Sequence, residues 1–98
     1  MIEKVCGIYY IRNKITKKVY IGQSTDIYGK RKEKHFYLLR NKKHNNYIMN
    51  LDYEKYGESS FEHGLIEECP KEQLNDLEIY YIRYFHTYCD EGGYNLTR

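Results

Sequence analysis

The sequence has no tryptophan, a single proline and only three cysteines. Without tryptophan, the core has to be built from Phe, Ile, Leu, Val and part of a set of 13 tyrosines. A phenol taken inside brings a hydroxyl that needs a partner, so some of these rings belong at the surface. Cys6, Cys69 and Cys89 are odd in number and lack metal-ligand spacing, which fits free thiols in a reducing compartment. No apolar run reaches the length of a signal segment or a membrane span. A soluble, intracellular protein of the cytoplasm, with no membrane partner, is therefore expected. There is also no internal repeat, low-complexity tract or linker, and the length suits one domain over residues 1–98. At this size roughly 60–65% of the unfolded surface is expected to be buried.

A large excess of one charge is missing too. The net charge is +2, so the chain is no generic polycation. Its charges are unevenly spread, however. Residues 30–44 hold Lys30, Arg31, Lys32, Lys34, Arg40, Lys42 and Lys43, with His35 and His44, against the single acid Glu33, while the stretch from Glu67 to Glu78 is acid-rich. This asymmetry suits a protein that meets a polyanion with one face, or else a solvated charged helix.

What is present is a series of short elements. Val5 to Arg12 and Val19 to Gly22 are rich in Ile, Val and Tyr, and a polar loop from Asn13 to Lys18 makes them a hairpin. Side chains alternate across a strand. Ile8, Val19 and Ile21 then share a core side, and Tyr9 and Tyr20 emerge together on the other. Gly7 and Gly22 leave bare backbone there, where a ligand can come close. Ser24-Thr25-Asp26 opens a helix to about Arg40, with Gly29 distorting its first turn. A second helix runs from about Asn46 to Tyr56 with Ile48, Leu51 and Tyr56 inward and Gly57 as its stop. Phe61 to Glu67 reads as a third strand with Phe61 and Leu65 on one side. Pro70 fits the first position of a last helix, whose stripe is Leu74, Leu77, Tyr81, Ile82 and Phe85. Tyr94-Asn95-Leu96, after Gly92-Gly93, forms a short edge segment.

Several residues in this frame suit phosphodiester chemistry. Glu78 falls within an apolar stripe, where an ionised carboxylate needs a cation. It is a ligand for one hard divalent ion, magnesium or manganese, or a salt-bridge partner of Arg83 or Arg12. Arg31 and His35 are four apart and share a helix face. They make a phosphate fork with a proton carrier beside it, or a solvated basic face. Tyr9 and Tyr20 are hydrogen-bonded wall residues, or phenols brought toward phenolate by nearby cations. Asn95 orients a hydroxyl or ties down backbone. Lys30, Lys34, Lys42, Lys43 and His44 are candidate phosphate contacts.

The set resembles the GIY-YIG nuclease family. Gly7-Ile8-Tyr9, ten residues, then Tyr20-Ile21-Gly22 is similar to the name-giving pair. Lys30-Arg31 with His35, Glu78 before Tyr80-Tyr81-Ile82, and Gly93-Tyr94-Asn95-Leu96 complete a likeness that covers nearly the whole chain. The resemblance implies an α+β fold, a small three-stranded antiparallel sheet flanked by helices. It implies cleavage of DNA by water to 5′-phosphate and 3′-hydroxyl ends with one divalent ion at Glu78. Tyr9 is then the base on water, Tyr20 and His35 assist, Arg31 binds the scissile phosphate and Asn95 completes the catalytic set. Two departures stand out. Gly29 looks like an added residue before the arginine, although the four-residue step to His35 selects Arg31. No separate DNA-reading domain follows, so low intrinsic sequence specificity is expected. The competing expectations are a non-cleaving nucleic-acid-binding module on the same fold and a structural interaction domain.

Overall fold

A computed structural model describes residues 4–96, apart from the side chain of Lys30. Strand β1 (Gly7–Asn13) turns through residues 14–18 into β2 (Val19–Ser24). The Asn13 carboxamide closes the turn, its Oδ1 accepting from the backbone N–H of Ile15 and Thr16. A single wide turn, Ile27–Arg31, leads into helix α1 (Lys32–Arg40). Helix α2 (Tyr47–Tyr56), strand β3 (Phe61–Glu68) and helix α3 (Leu74–Tyr84) follow. The sheet is antiparallel with order β2-β1-β3, so β1 is central and β2 lies at an edge.

Both faces of the sheet are covered. Ile8 and Ile21 pack with Leu74 and Ile82 of α3, as alternation predicts. Tyr9 and Ile11 face the other way, against Ile27, Leu39 and Met49. Tyr9 and Tyr20 do share a face, but it is a second core and not an open surface. Tyr9 has no exposed area at all.

The glycines correct another expectation. Tyr9 pairs across the strands with Gly22, and a Cβ on Gly22 would collide with Cζ and Oη of the Tyr9 ring. The space beside Gly22 holds a phenol, not a ligand. Gly7 is likewise filled, its missing Cβ facing the Glu67 carbonyl where the β1–β3 register slips between Ile8 and Tyr9. Gly22→Ala is accordingly expected to cost about 1–3 kcal/mol through overpacking and to push the Tyr9 ring out of place. Denaturant unfolding measures the first effect and the rate of any Tyr9-dependent chemistry the second.

The helices differ in detail from their sequence patterns. The first regular turn begins at Lys32, not Asp26, because Gly29 (φ −94°, ψ −122°) breaks the run and brings its Cα against the Asp26 carboxylate. In α2 the buried residue is Met49, while Leu51 is 62% exposed. Asp52 turns inward instead, accepting from Tyr94 Oη at 2.7 Å, and this rotates Leu51 to the outside. Pro70 precedes a short 3-10 turn at Lys71–Gln73, and α3 starts at Leu74. Phe85 lies just past the end of α3, stacked on Tyr81 and half exposed. No helix of the described residues is long and apolar enough to cross a membrane.

Candidate active site

Tyr9 is fixed first, by the central strand. Its Oη lies 2.5 Å from Nε2 of His35 on α1 and accepts from Nε of Arg31 at 3.3 Å. The His63 ring stacks on it with centroids 5.2 Å apart. Tyr20 stands beside it, ring centroids 6.3 Å apart, and also meets His35 edge-on at 5.5 Å. Burial raises both phenols above their ordinary pKa, and the Arg31 guanidinium draws both back down. Arg31 occupies helical backbone at the start of α1, so the kink at Gly29 is what aims it back at β1.

His35 is buried, and its Nδ1 meets Nε2 of His44 at 2.7 Å. His44 also accepts the backbone N–H of Asn46 on Nδ1 at 3.0 Å. Both ring nitrogens of the expected phosphate contact are thus used inside the protein. Burial first, and then His44, Arg31, His63 and Lys34, whose protonated forms repel a further positive charge, push His35 down to about 3. His63 is pushed down to about 4, mainly by burial.

These shifts carry a consequence for stability. Both rings are neutral in the fold, while the unfolded chain takes up protons below about pH 6.5. Between that value and their folded pKa values the unfolded state binds more protons, so stability falls as pH falls. His35, only 5% exposed, contributes up to about 1.4 kcal/mol per pH unit inside that window. The urea midpoint is expected to be level in this respect above neutrality and to decline steadily from about pH 6.5 toward pH 4.

Glu78 comes from the helix on the opposite face of the sheet. Because β2 is an edge strand, its side chain still lines the same cavity of about 240 Å³ as Tyr20, Arg31, Lys34, His35 and His44. It forms no salt bridge among the described residues, and Arg12 pairs instead with Glu62 at 2.9 Å. Burial raises the Glu78 carboxyl above its usual range, while the Gln23 side chain and Arg31 pull it back. The described residues contain no group of three His, Cys, Asp or Glu arranged to hold a metal ion. A single hard carboxylate facing an open, hydratable cavity fits a cation such as magnesium, which completes its shell with water and phosphate oxygens. It does not supply the ligands of a zinc centre.

Asn95 lines the cavity, but its amide makes three hydrogen bonds inside the protein. Oδ1 accepts from the Ile21 N–H at 2.8 Å and from Thr87 Oγ1 at 2.7 Å, and Nδ2 donates to the Ile21 carbonyl at 2.9 Å. It brackets the peptide next to Tyr20, so it holds backbone. Of the basic residues, Lys34 lines the cavity, Lys43 is exposed, and Lys42 pairs at the surface with Glu54 at 2.8 Å. Lys30's side chain lies outside the described residues. Asn46, Gln23 and His63 went unnoticed in the sequence. The alternation that put Phe61 and Leu65 on one side also points His63, between them, toward Tyr9. Asn46 carries an ordinary N-cap signature ahead of α2, its Oδ1 accepting from the Met49 N–H.

Known proteins resemble this chain in sequence and in fold. The family model of the GIY-YIG catalytic domain matches residues 5–95. The intron-associated endonuclease 1 of Enterobacteria phage T4 is 32% identical over 93 residues, covering 93% of this chain and 36% of that protein. The chain thus spans about a third of that relative's length. The structure of the catalytic domain of homing endonuclease I-TevI superposes with a TM-score of 0.85 at 29% identity, covering 95% of this chain and 99% of that one. A mutant of the same catalytic domain with glutamate replaced by alanine matches equally well, covering 95% and 94%. With the motif pair on β1 and β2 and the match spanning almost every described residue, this chain belongs to the GIY-YIG catalytic-domain family.

Proposed function

We propose that this domain is a DNA endonuclease that hydrolyses phosphodiester bonds to 5′-phosphate and 3′-hydroxyl ends with one divalent cation, magnesium or manganese, at Glu78. The observation that carries this reading is convergence. Tyr20, Arg31, His35 and Glu78 line a single small cavity, and the buried Tyr9 contacts His35 and Arg31 from behind it. The T4 relative and the protein that carries the I-TevI domain are endonucleases, which supports it.

In this mechanism Arg31 holds a non-bridging phosphate oxygen, and Lys34 adds positive charge at the mouth. Tyr9, as phenolate, takes a proton from water. The water oxygen bonds to phosphorus as the bond to the 3′ oxygen breaks, and the departing oxygen keeps the electron pair and takes up a proton from solvent water. A divalent cation held at Glu78 would supply charge stabilisation for that departing oxygen. Tyr20 and His35 position Tyr9. Surface lysines such as Lys43 attract the backbone without reading sequence.

Supercoiled plasmid incubated with the protein and magnesium is expected to be nicked and linearised, and to stay intact in EDTA. Binding in both conditions with no cutting in either would favour the non-cleaving module instead.

A further inference from the structure

The protons in the Tyr9–His35–His44 chain can be assigned from one fixed donor. The Asn46 amide faces Nδ1 of His44 at 3.0 Å. A backbone N–H only donates, so that nitrogen carries no hydrogen. A neutral His44 then bears its proton on Nε2, which lies 2.7 Å from Nδ1 of His35. His44 is therefore the donor, and His35 Nδ1 accepts. A neutral His35 must in turn carry its hydrogen on Nε2, facing Tyr9 Oη. Burial and the charge of Arg31 keep both rings neutral, with His63 and Lys34 adding to the effect at His35.

The ring geometry agrees. The two imidazole planes are 17° apart and their centroids 5.0 Å apart. That separation is the N–N gap plus the two ring radii, so the rings meet end to end in nearly one plane. In this orientation an N–H points along its partner's lone pair. Asn50 Nδ2, donating to the His44 carbonyl at 2.6 Å, anchors the residue from behind.

We infer that His44 is a positioning residue through which the Asn46 amide locks His35 as a hydrogen-bond donor to Tyr9, leaving Tyr9, and not His35, to accept the proton of the attacking water. This rests on the nuclease reading above. The reverse relay, with His35 accepting from Tyr9, would set a hydrogen on His44 Nδ1 against the hydrogen of the Asn46 amide. In the assigned state Tyr9 Oη receives two N–H donors, from His35 and Arg31. Both remain in place when the phenol ionises, and they favour the phenolate.

The test is a histidine ring ¹⁵N spectrum of the protein near neutral pH. Protonated Nε2 and bare Nδ1 are expected on both His35 and His44, and a bare Nε2 on His35 would overturn the inference. His44→Phe, which keeps a ring but neither polar atom, is expected to remove the single-tautomer signature of His35. It is also expected to lower kcat by about tenfold or more with KM for DNA unchanged. His44→Gln, which offers a donor and an acceptor, is expected to recover both. An unchanged His35 tautomer in His44→Phe, or an unchanged kcat, would sink the role. The spectrum needs no cleavage. Assigned tautomers in a protein that cuts no DNA would uphold the proton assignment and defeat the nuclease reading alone. The wild-type spectrum and the Gln variant keep the test in force if His44→Phe does not fold.

Discussion

Replacing Glu78 with alanine is expected to abolish cleavage while leaving the fold and DNA binding in place. Among the described residues, Glu78 is the only acid lining a cavity that also holds Arg31 and Lys34. Its removal takes away the single hard ligand and makes the cavity more positive. The loss is expected to be on the order of 10³-fold or more, the size that several kcal/mol of missing charge stabilisation produces. DNA affinity in EDTA is expected to hold or rise. Burial already holds this carboxyl above its usual pKa range, so the fold favours its neutral form. Removing it is therefore expected to leave the melting temperature unchanged or raised. Cleavage rate, gel shift and thermal melt read the three effects separately. Full activity in the variant would reject the assigned role.

Tyr9→Phe is expected to be the next most damaging change, at about 10²-fold or more in rate. The ring stays, so its packing over Gly22 and against His63 is kept. Only the oxygen is lost, with the two N–H groups that point at it. Leaving those donors without an acceptor is expected to cost about 1–3 kcal/mol of stability. A sharper signature lies in pH. Burial raises the phenol, so the ionised fraction that can accept a proton grows as pH increases. The wild-type rate should climb toward alkaline pH, and the residual rate of Tyr9→Phe should not. A retained slope in the variant would move the base to Tyr20.

Much of this was legible in the residues themselves. Alternation in β1 and β2 put Ile8 with Ile21 and Tyr9 with Tyr20, and both pairings hold. The four-residue step from Arg31 to His35 singled out Arg31, whose Nε lies 3.3 Å from Tyr9 Oη. What alternation does not carry is which face is dry. A run with apolar residues on both sides reads the same whether one side meets water or a second set of helices, so Tyr9 was expected to emerge where it is enclosed. The rotation of α2 was hidden for a related reason. Met49 and Leu51 are equally apolar, and only the distant Tyr94 hydroxyl, reaching Asp52, decides between them. His44 was misplaced because its role depends on a backbone amide, and no side-chain pattern reports where such a group points. Asn95 carried no signal of whether its amide would face a substrate or a peptide until Ile21 and Thr87 were brought to it.

The way Asn95 and Tyr94 close the fold bears on synthesis of the chain. Tyr94 donates its N–H to Val19 and its carbonyl accepts from Asn46, while Asn95 clasps Ile21. A nascent polypeptide that has emerged from the ribosome only as far as α3 already displays every titratable group of the cavity, yet lacks the clasp that sets β2 and the start of α2. A chain cut short before Tyr94 is accordingly expected to carry those side chains without the contacts that tie β2 to the start of α2.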